Sequence, residues 1–285
     1  MKPHILDLNT ELKSLKPRLP DANKSDFGHV LIIGGDIGMS GAVHMAAASS
    51  ARVGCGLVTV ITHPKHAAMV NITRPEIMCY GLDIDNNHYI EKFKFLLQKA
   101  SVVIIGPGLG VSDWGRYVFN YAMAYKLKKP MILDADALNI LASSDNLYNI
   151  GNNCILTPHP GEAARLLNIT TAQVQKDRMM AIKQLQQKFG CTVILKGAGT
   201  LIKSFEPAIY LCNAGNPGMA SGGMGDVLSG VIGGLVAQGL DLCAAARLAA
   251  IVHATVGDML ALEEGQVGML ASDLIPKIRK ILNAK

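Results

Sequence analysis

The segment best suited to chemistry is a glycine-rich loop that leads into an apolar helix. Residues 222–226 read Gly-Gly-Met-Gly-Asp, and a long apolar run begins at Val227. Glycine lets the backbone turn its N–H groups toward one point, and the first turn of a helix adds unpaired N–H groups and a partial positive charge. Such a loop can hold a phosphoryl group as an anion hole. We predict that Gly223, Met224 and Gly225 form this hole.

One carboxylate follows the loop directly. Asp226 can take a proton from a substrate hydroxyl while the backbone amides hold a phosphoryl group in transfer. Asp is also a common helix cap, but a cap does not require three glycines among the four preceding residues. We therefore predict that Asp226 is a catalytic base.

A second loop combines a cation, two glycines and a hydroxyl. It consists of Lys196, Gly197, Ala198, Gly199 and Thr200, and it follows a short β-branched run. This chemistry suits a nucleotide phosphate or ribose, although the spacing of a P-loop is absent. A simple turn explains the loop equally well.

Two further strand-end motifs carry acidic residues or histidine. In the sequence His-Pro-Gly-Glu at 159–162, Glu162 could hold a metal-bound water and His159 could donate to a substrate amide or phosphate. The alternative is a capped helix start with proline in its first turn. Asp134 and Asp136 are candidates for Mg²⁺ or ribose ligands, or for plain turn formers.

Three other residues are predicted to have packing roles because their neighbours in the sequence are apolar. His253 lies in a helical apolar pattern, and we interpret it as a core histidine. Met219 and Met224 are expected to line an apolar pocket wall.

The elements that must position these motifs alternate between short apolar strands and helices. Five predicted strands end at a glycine-rich or polar motif: 30–33, 102–105, 131–133, 154–156 and 192–195. Continuous apolar runs are typical of strands covered on both faces, so we predict an α/β fold with a mostly parallel, doubly wound sheet. In such sheets ligands bind beyond the carboxyl ends of the strands, where these motifs would converge.

Several boundaries complete the prediction of the fold. Runs at 201–203 and 209–211 flank Ser-Phe-Glu-Pro and predict an antiparallel hairpin at one edge of the sheet. Helices are predicted at 40–53 and at 241–260, the second with Asp241 as its N-cap. We expect residues 1–25 to be a lead-in segment and residues 26–285 to form a single domain.

Composition excludes several classes of protein. The 285 residues are 49% hydrophobic and 17% charged, which excludes intrinsic disorder. The net charge of +5 comes from scattered basic residues, so no nucleic-acid partner is expected. Six widely spaced cysteines indicate free thiols in a reducing compartment. The N-terminus lacks a signal-peptide pattern, and the longest charge-free apolar run, 227–240, is too short for a bilayer, so we predict a cytoplasmic protein without membrane contact.

Six segments together carry a family resemblance. They are Gly34-Gly35 with Gly41-Ala42, Gly106–Gly110, Leu133–Asn139, Thr157–Glu162, Lys196–Thr200 and Asn213–Leu228. The chain resembles the ribokinase-like superfamily, and Thr-Pro-His-Pro-Gly-Glu with Asn-Pro-Gly-Met-Ala makes it similar to the NAD(P)H-hydrate dehydratases. The resemblance implies a three-layer α/β/α fold and the repair of NADHX and NADPHX, the hydrated forms of NADH and NADPH. In that family a nucleotide phosphorylates the hydrate hydroxyl, and phosphate then leaves.

The resemblance also implies roles for individual residues. Asp226 matches the base, and the hole of Gly223, Met224 and Gly225 matches the family's anion hole. The adenine-nucleotide site would comprise Lys196–Thr200, Asn216 and Gly225. Ala42, Gly108, His159 and Asp226 would face the hydrated dinucleotide, and Glu162 would organise Mg²⁺ through water.

Further implications concern cofactors and partners. Stand-alone bacterial members look ADP-dependent, so ADP is expected as co-substrate, with AMP and phosphate as products. Relatives look like homotetramers, which implies a homo-oligomer. No epimerase module precedes residue 28, so we expect a separate NAD(P)HX epimerase and action on the (6S) epimer alone.

One departure is Lys24-Ser25, where the family pattern has His-Lys-Gly. The alternatives are an ATP-dependent kinase of a small vitamin-precursor alcohol and a nucleotide-binding regulator without turnover.

Overall fold

The computed structural model describes residues 2–125, 129–144, 148 and 150–283. Within these residues, ten strands form one sheet in the order β1-β10-β9-β8-β7-β6-β5-β2-β3-β4. The strands are β1 (His4–Ile5), β2 (His29–Ile33), β3 (Leu57–Thr62), β4 (Met78–Gly81), β5 (Val102–Ile105), β6 (Met131–Leu133), β7 (Cys154–Leu156), β8 (Thr192–Leu195), β9 (Thr200–Lys203) and β10 (Ile209–Cys212). The predicted α/β class and mostly parallel sheet are confirmed.

The α-helices of the described residues cover both faces of this sheet. They are α1 (Leu8–Leu12), α2 (Ser40–Val53), α3 (Ala67–Val70), α4 (Asn87–Lys99), α5 (Asp113–Ala124), α6 (Asp136–Ser143), α7 (Pro160–Leu167), α8 (Thr171–Lys176), α9 (Arg178–Phe189), α10 (Met224–Ala237), α11 (Leu242–Glu264) and α12 (Ala271–Leu282). Helix α2 has the predicted bounds, and Asp241 caps α11 through the N–H groups of Cys243 and Ala244, both at 3.0 Å.

Strand β2 shows why the sheet must have two covered faces. Successive side chains of a strand point to opposite sides. Val30 and Ile32 belong to the core cluster that contains residues of α2, α10, α11 and α12, whereas Leu31 and Ile33 belong to the cluster that contains residues of α4, α5 and α6. All four residues are buried, so the continuous apolar run predicts the three layers correctly.

The hairpin that the sequence predicts forms between β9 and β10, which are antiparallel to each other. Strand β9 is also antiparallel to β8. The hairpin does not end the sheet, because β1 pairs in parallel with β10 at its outer side. In the same N-terminal segment Glu11 forms an ion pair of 3.1 Å with Arg247 of α11. The division of the chain at residue 25 stays a prediction.

Close packing of α10 on α2 fixes the start of α10, where the predicted base lies. A Cβ on Gly230 would come within 2.2 Å of the Ala46 carbonyl oxygen, so only glycine fits at this crossing. The Ser50 hydroxyl donates to the Gly230 carbonyl at 2.9 Å and ties the two helices together.

Helix α11 is long and apolar enough to cross a membrane by length and composition, the only such helix among the described residues. About two thirds of its most apolar stretch is buried inside the protein. Its apolar character is therefore explained by its place in the core beside α10 and α12.

Candidate active site

The carboxyl ends of neighbouring parallel strands lie side by side. Ile33 pairs with Ile105, Ile105 with Leu133, and Leu133 with Leu156. Strand β8 continues this row beside β7. The loops that follow these strands therefore emerge at one edge of the sheet, as the sequence predicts.

A buried ion pair lies at the centre of this edge. The Asp134 carboxylate accepts hydrogen bonds from Lys196 Nζ at 2.7 Å, Thr157 Oγ1 at 2.7 Å and Ser229 Oγ at 2.6 Å. Burial disfavours the charged carboxylate, but Lys196 and these hydrogen bonds outweigh burial and lower the pKa of Asp134 below its ordinary value. Burial also opposes the charge on Lys196, yet Asp134 and Glu162 raise its pKa. Both groups are therefore ionised at neutral pH.

The sequence left open whether Asp134 and Asp136 are Mg²⁺ or ribose ligands or plain turn formers, and their contacts in the structure bear on this choice. Its carboxylate is 1% exposed and already has three donors, so its place in the fold is that of an anchor between β6, β8 and α10. Asp136 opens α6, accepts the N–H of Gly110 at 2.9 Å and accepts from Asn139 at 3.1 Å.

Glu162 and His159 are joined at the start of α7. The Glu162 carboxylate accepts the backbone N–H of His159 at 2.7 Å, and His159 Nδ1 accepts the N–H of Gly161 at 3.0 Å. This is the capped helix start, with Pro160 in its first turn. Glu162 Oε2 also lies 3.8 Å from Lys196 Nζ, and burial raises the pKa of Glu162 to about 7. Glu162 therefore caps α7 and also lies beside the ion pair of Asp134 and Lys196.

Asp226 is the third residue of α10. The N-cap of this helix is Gly223, and in the described part of the chain the Asp226 carboxylate has no hydrogen-bond partner, so a capping role is not seen. Burial and the negative charge of Asp134 raise its pKa to about 7, and Lys196 opposes them. A carboxyl group that titrates near neutral pH without a partner is suited to accept a proton from a ligand.

The predicted anion hole lies at the same helix start. Gly223 has a φ of +92°, and across the described ranges the N–H groups of Gly223, Met224 and Gly225 have no acceptor. A Cβ on Gly225 would lie 3.3 Å from Lys196 Nζ. The hole therefore combines three unpaired amides with a nearby ammonium group.

A cavity of about 520 Å³ opens beside this helix start. Every residue predicted for the nucleotide lines it: Lys196, Gly197, Ala198, Gly199, Thr200, Asn216 and Gly225. Met219 and Met224 also line it, as predicted. His253 is 8% exposed and belongs to the same wall, and burial lowers its pKa to about 4, so it is a neutral, packed histidine at the edge of the cavity.

Asn216 shapes this wall through its own side chain. Its Oδ1 accepts the N–H of Gly218 at 3.0 Å, and its Nδ2 donates to Asp258 at 2.9 Å. Asp258 also accepts the N–H of Gly215 at 2.8 Å. The loop between β10 and α10 is thereby fixed against α11.

Ala42 and Gly108, which are expected to face the hydrate, lie against each other. A Cβ on Gly108 would lie 3.0 Å from the Cβ of Ala42, so the loop after β5 touches the first turn of α2. The next residues of this loop reach Asp136, whose charge also raises the pKa of Asp226. The structure thus brings Ala42, Gly108 and Asp226 to one part of the sheet edge.

Four residues to which the sequence assigned no individual role support these loops. They are Thr157, Arg178, Ser229 and Asp258. Ser229 had a signal in the sequence, since it is the polar residue one helical turn after Asp226 in an otherwise apolar run. Arg178 and Asp258 bind partners that are distant in sequence, so no local sequence pattern indicates their contacts.

Comparison with known proteins gives a consistent family. A family profile described as NAD(P)H-hydrate dehydratase matches residues 30–280. A bifunctional NAD(P)H-hydrate repair enzyme of Coxiella burnetii is 51% identical over 96% of this chain and 55% of its own length. The ADP-dependent (S)-NAD(P)H-hydrate dehydratase of Neisseria meningitidis is 38% identical over 94% of this chain and 89% of its own. The chain thus spans about half the length of the bifunctional relatives it matches.

Solved structures agree with the sequence matches. A ribokinase-like superfamily protein of Enterococcus faecalis superposes with a TM-score of 0.88 and 28% identity, covering 98% of this chain and 95% of that one. The ADP/ATP-dependent NAD(P)H-hydrate dehydratase of Bacillus subtilis, co-crystallised with ATP and Mg²⁺, gives a TM-score of 0.83 and 25% identity over 99% of this chain and all of that one. The fold is therefore ribokinase-like, and the chain belongs to the NAD(P)H-hydrate dehydratase family.

Proposed function

We propose that this chain dehydrates (6S)-NADHX and (6S)-NADPHX to NADH and NADPH at the expense of ADP, releasing AMP and phosphate. One observation carries the proposal: the Asp226 carboxyl, which has no hydrogen-bond partner among the described residues and a pKa near 7, directly follows three amides that are unpaired in the same ranges, at a helix start beside a cavity of nucleotide size. The name of the Neisseria relative supports ADP and the S epimer.

The reaction would proceed in two steps. Asp226 takes the proton of the hydrate hydroxyl, whose oxygen forms a bond to the terminal phosphorus of ADP as the bond to AMP breaks. The amides of Gly223, Met224 and Gly225 stabilise the charge on the phosphoryl oxygens. In the second step the C–O bond breaks, the lone pair of the ring nitrogen helps to expel phosphate, and a proton leaves the adjacent carbon. Phosphate is a far better leaving group than hydroxide, which explains the need for a nucleotide.

Mg²⁺ fits the residues only as a weakly held ion. Among the described residues no group of three metal-ligating side chains occurs, and Glu162 is a buried carboxyl 3.8 Å from Lys196 Nζ that the proposed proton transfer does not use. Mg²⁺ commonly binds through one or two carboxylates, water and substrate phosphates. Glu162 would hold such an ion through water, and the ion would neutralise phosphate charge.

The proposal is tested by mixing the purified protein with acid-generated NADHX, Mg²⁺ and either ADP or ATP. The absorbance of reduced nicotinamide should return with ADP, and AMP and free phosphate should appear in equal amounts. A stable phosphorylated product without this absorbance would identify a kinase instead. No reaction with either nucleotide would rule the proposal out.

The pH dependence of the reaction should follow Asp226. Because only its ionised form accepts a proton, kcat/KM for the hydrate should fall about tenfold per pH unit below a midpoint near 7 and level off above it. Glu162 also has a pKa of about 7, so the profile should be repeated with Glu162→Gln. The acidic limb should persist in this variant; its disappearance would assign the titration to Glu162.

A methyl group at Gly225 should block the nucleotide while helix α10 still forms. Gly225 has helical backbone angles, and alanine is favoured over glycine in helices by up to about 1 kcal/mol. The added Cβ would stand 3.3 Å from Lys196 Nζ, in the wall of the cavity. We expect Gly225→Ala to weaken ADP binding by about tenfold or more, as measured by calorimetry.

Gly222→Ala is the matched control, because its Cβ would have no atom within 4 Å. It should bind ADP as the wild type does. Equal ADP affinity in the Gly225→Ala variant would show that the nucleotide does not approach this turn.

A further inference from the structure

Arg178 gathers three carbonyl groups of the loop that leads out of β8. It is the first residue of α9, and its guanidinium donates to the carbonyl oxygens of Leu195 at 3.1 Å, Lys196 at 3.3 Å and Ala198. A planar guanidinium offers five N–H donors in a fixed arrangement, so one side chain can bind several acceptors at once. Arg178 itself does not line the cavity.

These contacts determine where the next amides point. In a trans peptide the C=O of one residue and the N–H of the following residue belong to one plane and point in opposite directions. The carbonyls of Lys196 and Ala198 face Arg178, so the N–H groups of Gly197 and Gly199 must face away from it. In the described part of the chain neither N–H has an acceptor, and both glycines line the cavity.

We propose that Arg178 is a positioning residue that holds the Gly197 and Gly199 amides ready for a phosphate of the nucleotide. Two backbone N–H groups that converge from one turn form a common anion site. The inference rests on the proposed function, since it takes an adenine nucleotide as the occupant. It adds a second group of phosphate donors, separate from the anion hole at the start of α10.

The loop needs such a support because of its own composition. Gly197 has a φ of +142° and Gly199 a φ of +69°, and glycine loses more backbone entropy on ordering than any other residue. Without Arg178 this entropy must be lost when the ligand binds, and affinity falls accordingly. Helix α9 itself does not depend on Arg178, since Asp177 caps it and Ala181, Ile182 and Leu185 anchor it in the core.

The test compares ADP with adenosine, which lacks phosphates, in calorimetric binding to the full chain. Arg178→Gln should weaken ADP binding by about tenfold and leave adenosine binding within about twofold, because the loss concerns only the phosphate contacts. Arg178→Lys keeps a cation but loses the planar guanidinium, and its ADP affinity should fall between those of the wild type and of Arg178→Gln. Millimolar guanidinium should restore part of the ADP affinity of an Arg178→Ala variant.

Lys188→Gln is the matched control on the same helix, because Lys188 also donates to a backbone carbonyl, that of Leu166 at 2.7 Å. It should change neither affinity. Equal weakening of ADP and adenosine in Arg178→Gln would show a general structural role, and unchanged ADP affinity would show that the two amides bind no phosphate; either overturns the inference. A wild type that binds ADP but does not dehydrate the hydrate would overturn the proposed function and leave this inference standing.

Discussion

Replacement of Asp226 by Asn should reduce turnover of the hydrate by about a thousandfold or more, while ADP still binds with an affinity close to that of the wild type. Asparagine has the same shape but cannot accept the hydroxyl proton. The carboxyl group has no hydrogen-bond partner among the described residues, so its replacement removes no hydrogen bond of the fold. Single-turnover kinetics and ADP titration measure the two effects separately.

Asp273→Asn provides the matched control for this variant. Asp273 occupies the same third position of a helix, α12, where it accepts the N–H of Leu270 at 2.8 Å and does not line the cavity beside α10. Its replacement should leave turnover unchanged. If Asp226→Asn keeps more than about a tenth of the wild-type rate, Asp226 is not the base, because a positioned base contributes at least a hundredfold.

Asp134→Asn should destabilise the protein by about 3–5 kcal/mol, the usual cost of leaving one partner of a buried ion pair alone. Asp134 is fully buried, and its loss leaves the Lys196 ammonium without its direct ion-pair partner, with Glu162 at 3.8 Å and the carboxyl of Asp226 as weaker neighbours. The hydroxyls of Thr157 and Ser229 also lose their charged acceptor. Urea unfolding followed by circular dichroism measures the change in the free energy of unfolding.

The double variant Asp134→Asn/Lys196→Met tests whether the unpaired charge of Lys196 causes the loss of stability. Removal of the second charge should recover part of the lost stability, because no unpaired ammonium stays buried. Glu263→Gln, which breaks an exposed ion pair with Lys277, should have a much smaller effect. A double variant that is less stable than Asp134→Asn alone would mean that packing, and not the unpaired charge, causes the loss.

The sequence predicts most of the fold because its signals are local. The apolar run of β2 has side chains in both cores, and the runs at 201–203 and 209–211 form the hairpin. Strand β1 has only two residues, both exposed, and it is defined by its pairing with β10. A strand of this kind has no hydrophobic pattern that could reveal it.

The candidate site, too, could be predicted from the sequence only where its signals are local. Its glycine loops and Asp226 have recognisable spacing. The structure places Lys196–Thr200 and Gly225 in one cavity wall, with Asp226 next to Gly225 in the chain, and their roles stay predictions. The function of Asp134 was left open between ligand and turn because the answer depends on Ser229, which lies 95 residues away in sequence. The contacts of Arg178 with three carbonyl oxygens likewise depend on how α9 packs against β8, which no local pattern specifies.

The central claim is that the hydrate hydroxyl itself becomes phosphorylated, and the fate of its oxygen tests this most directly. NADHX prepared in oxygen-18 water carries the label in this hydroxyl, and the reaction is then run with ADP in ordinary water. Mass spectrometry should find one labelled oxygen in each molecule of phosphate released. Label in water, with unlabelled phosphate, would contradict the account.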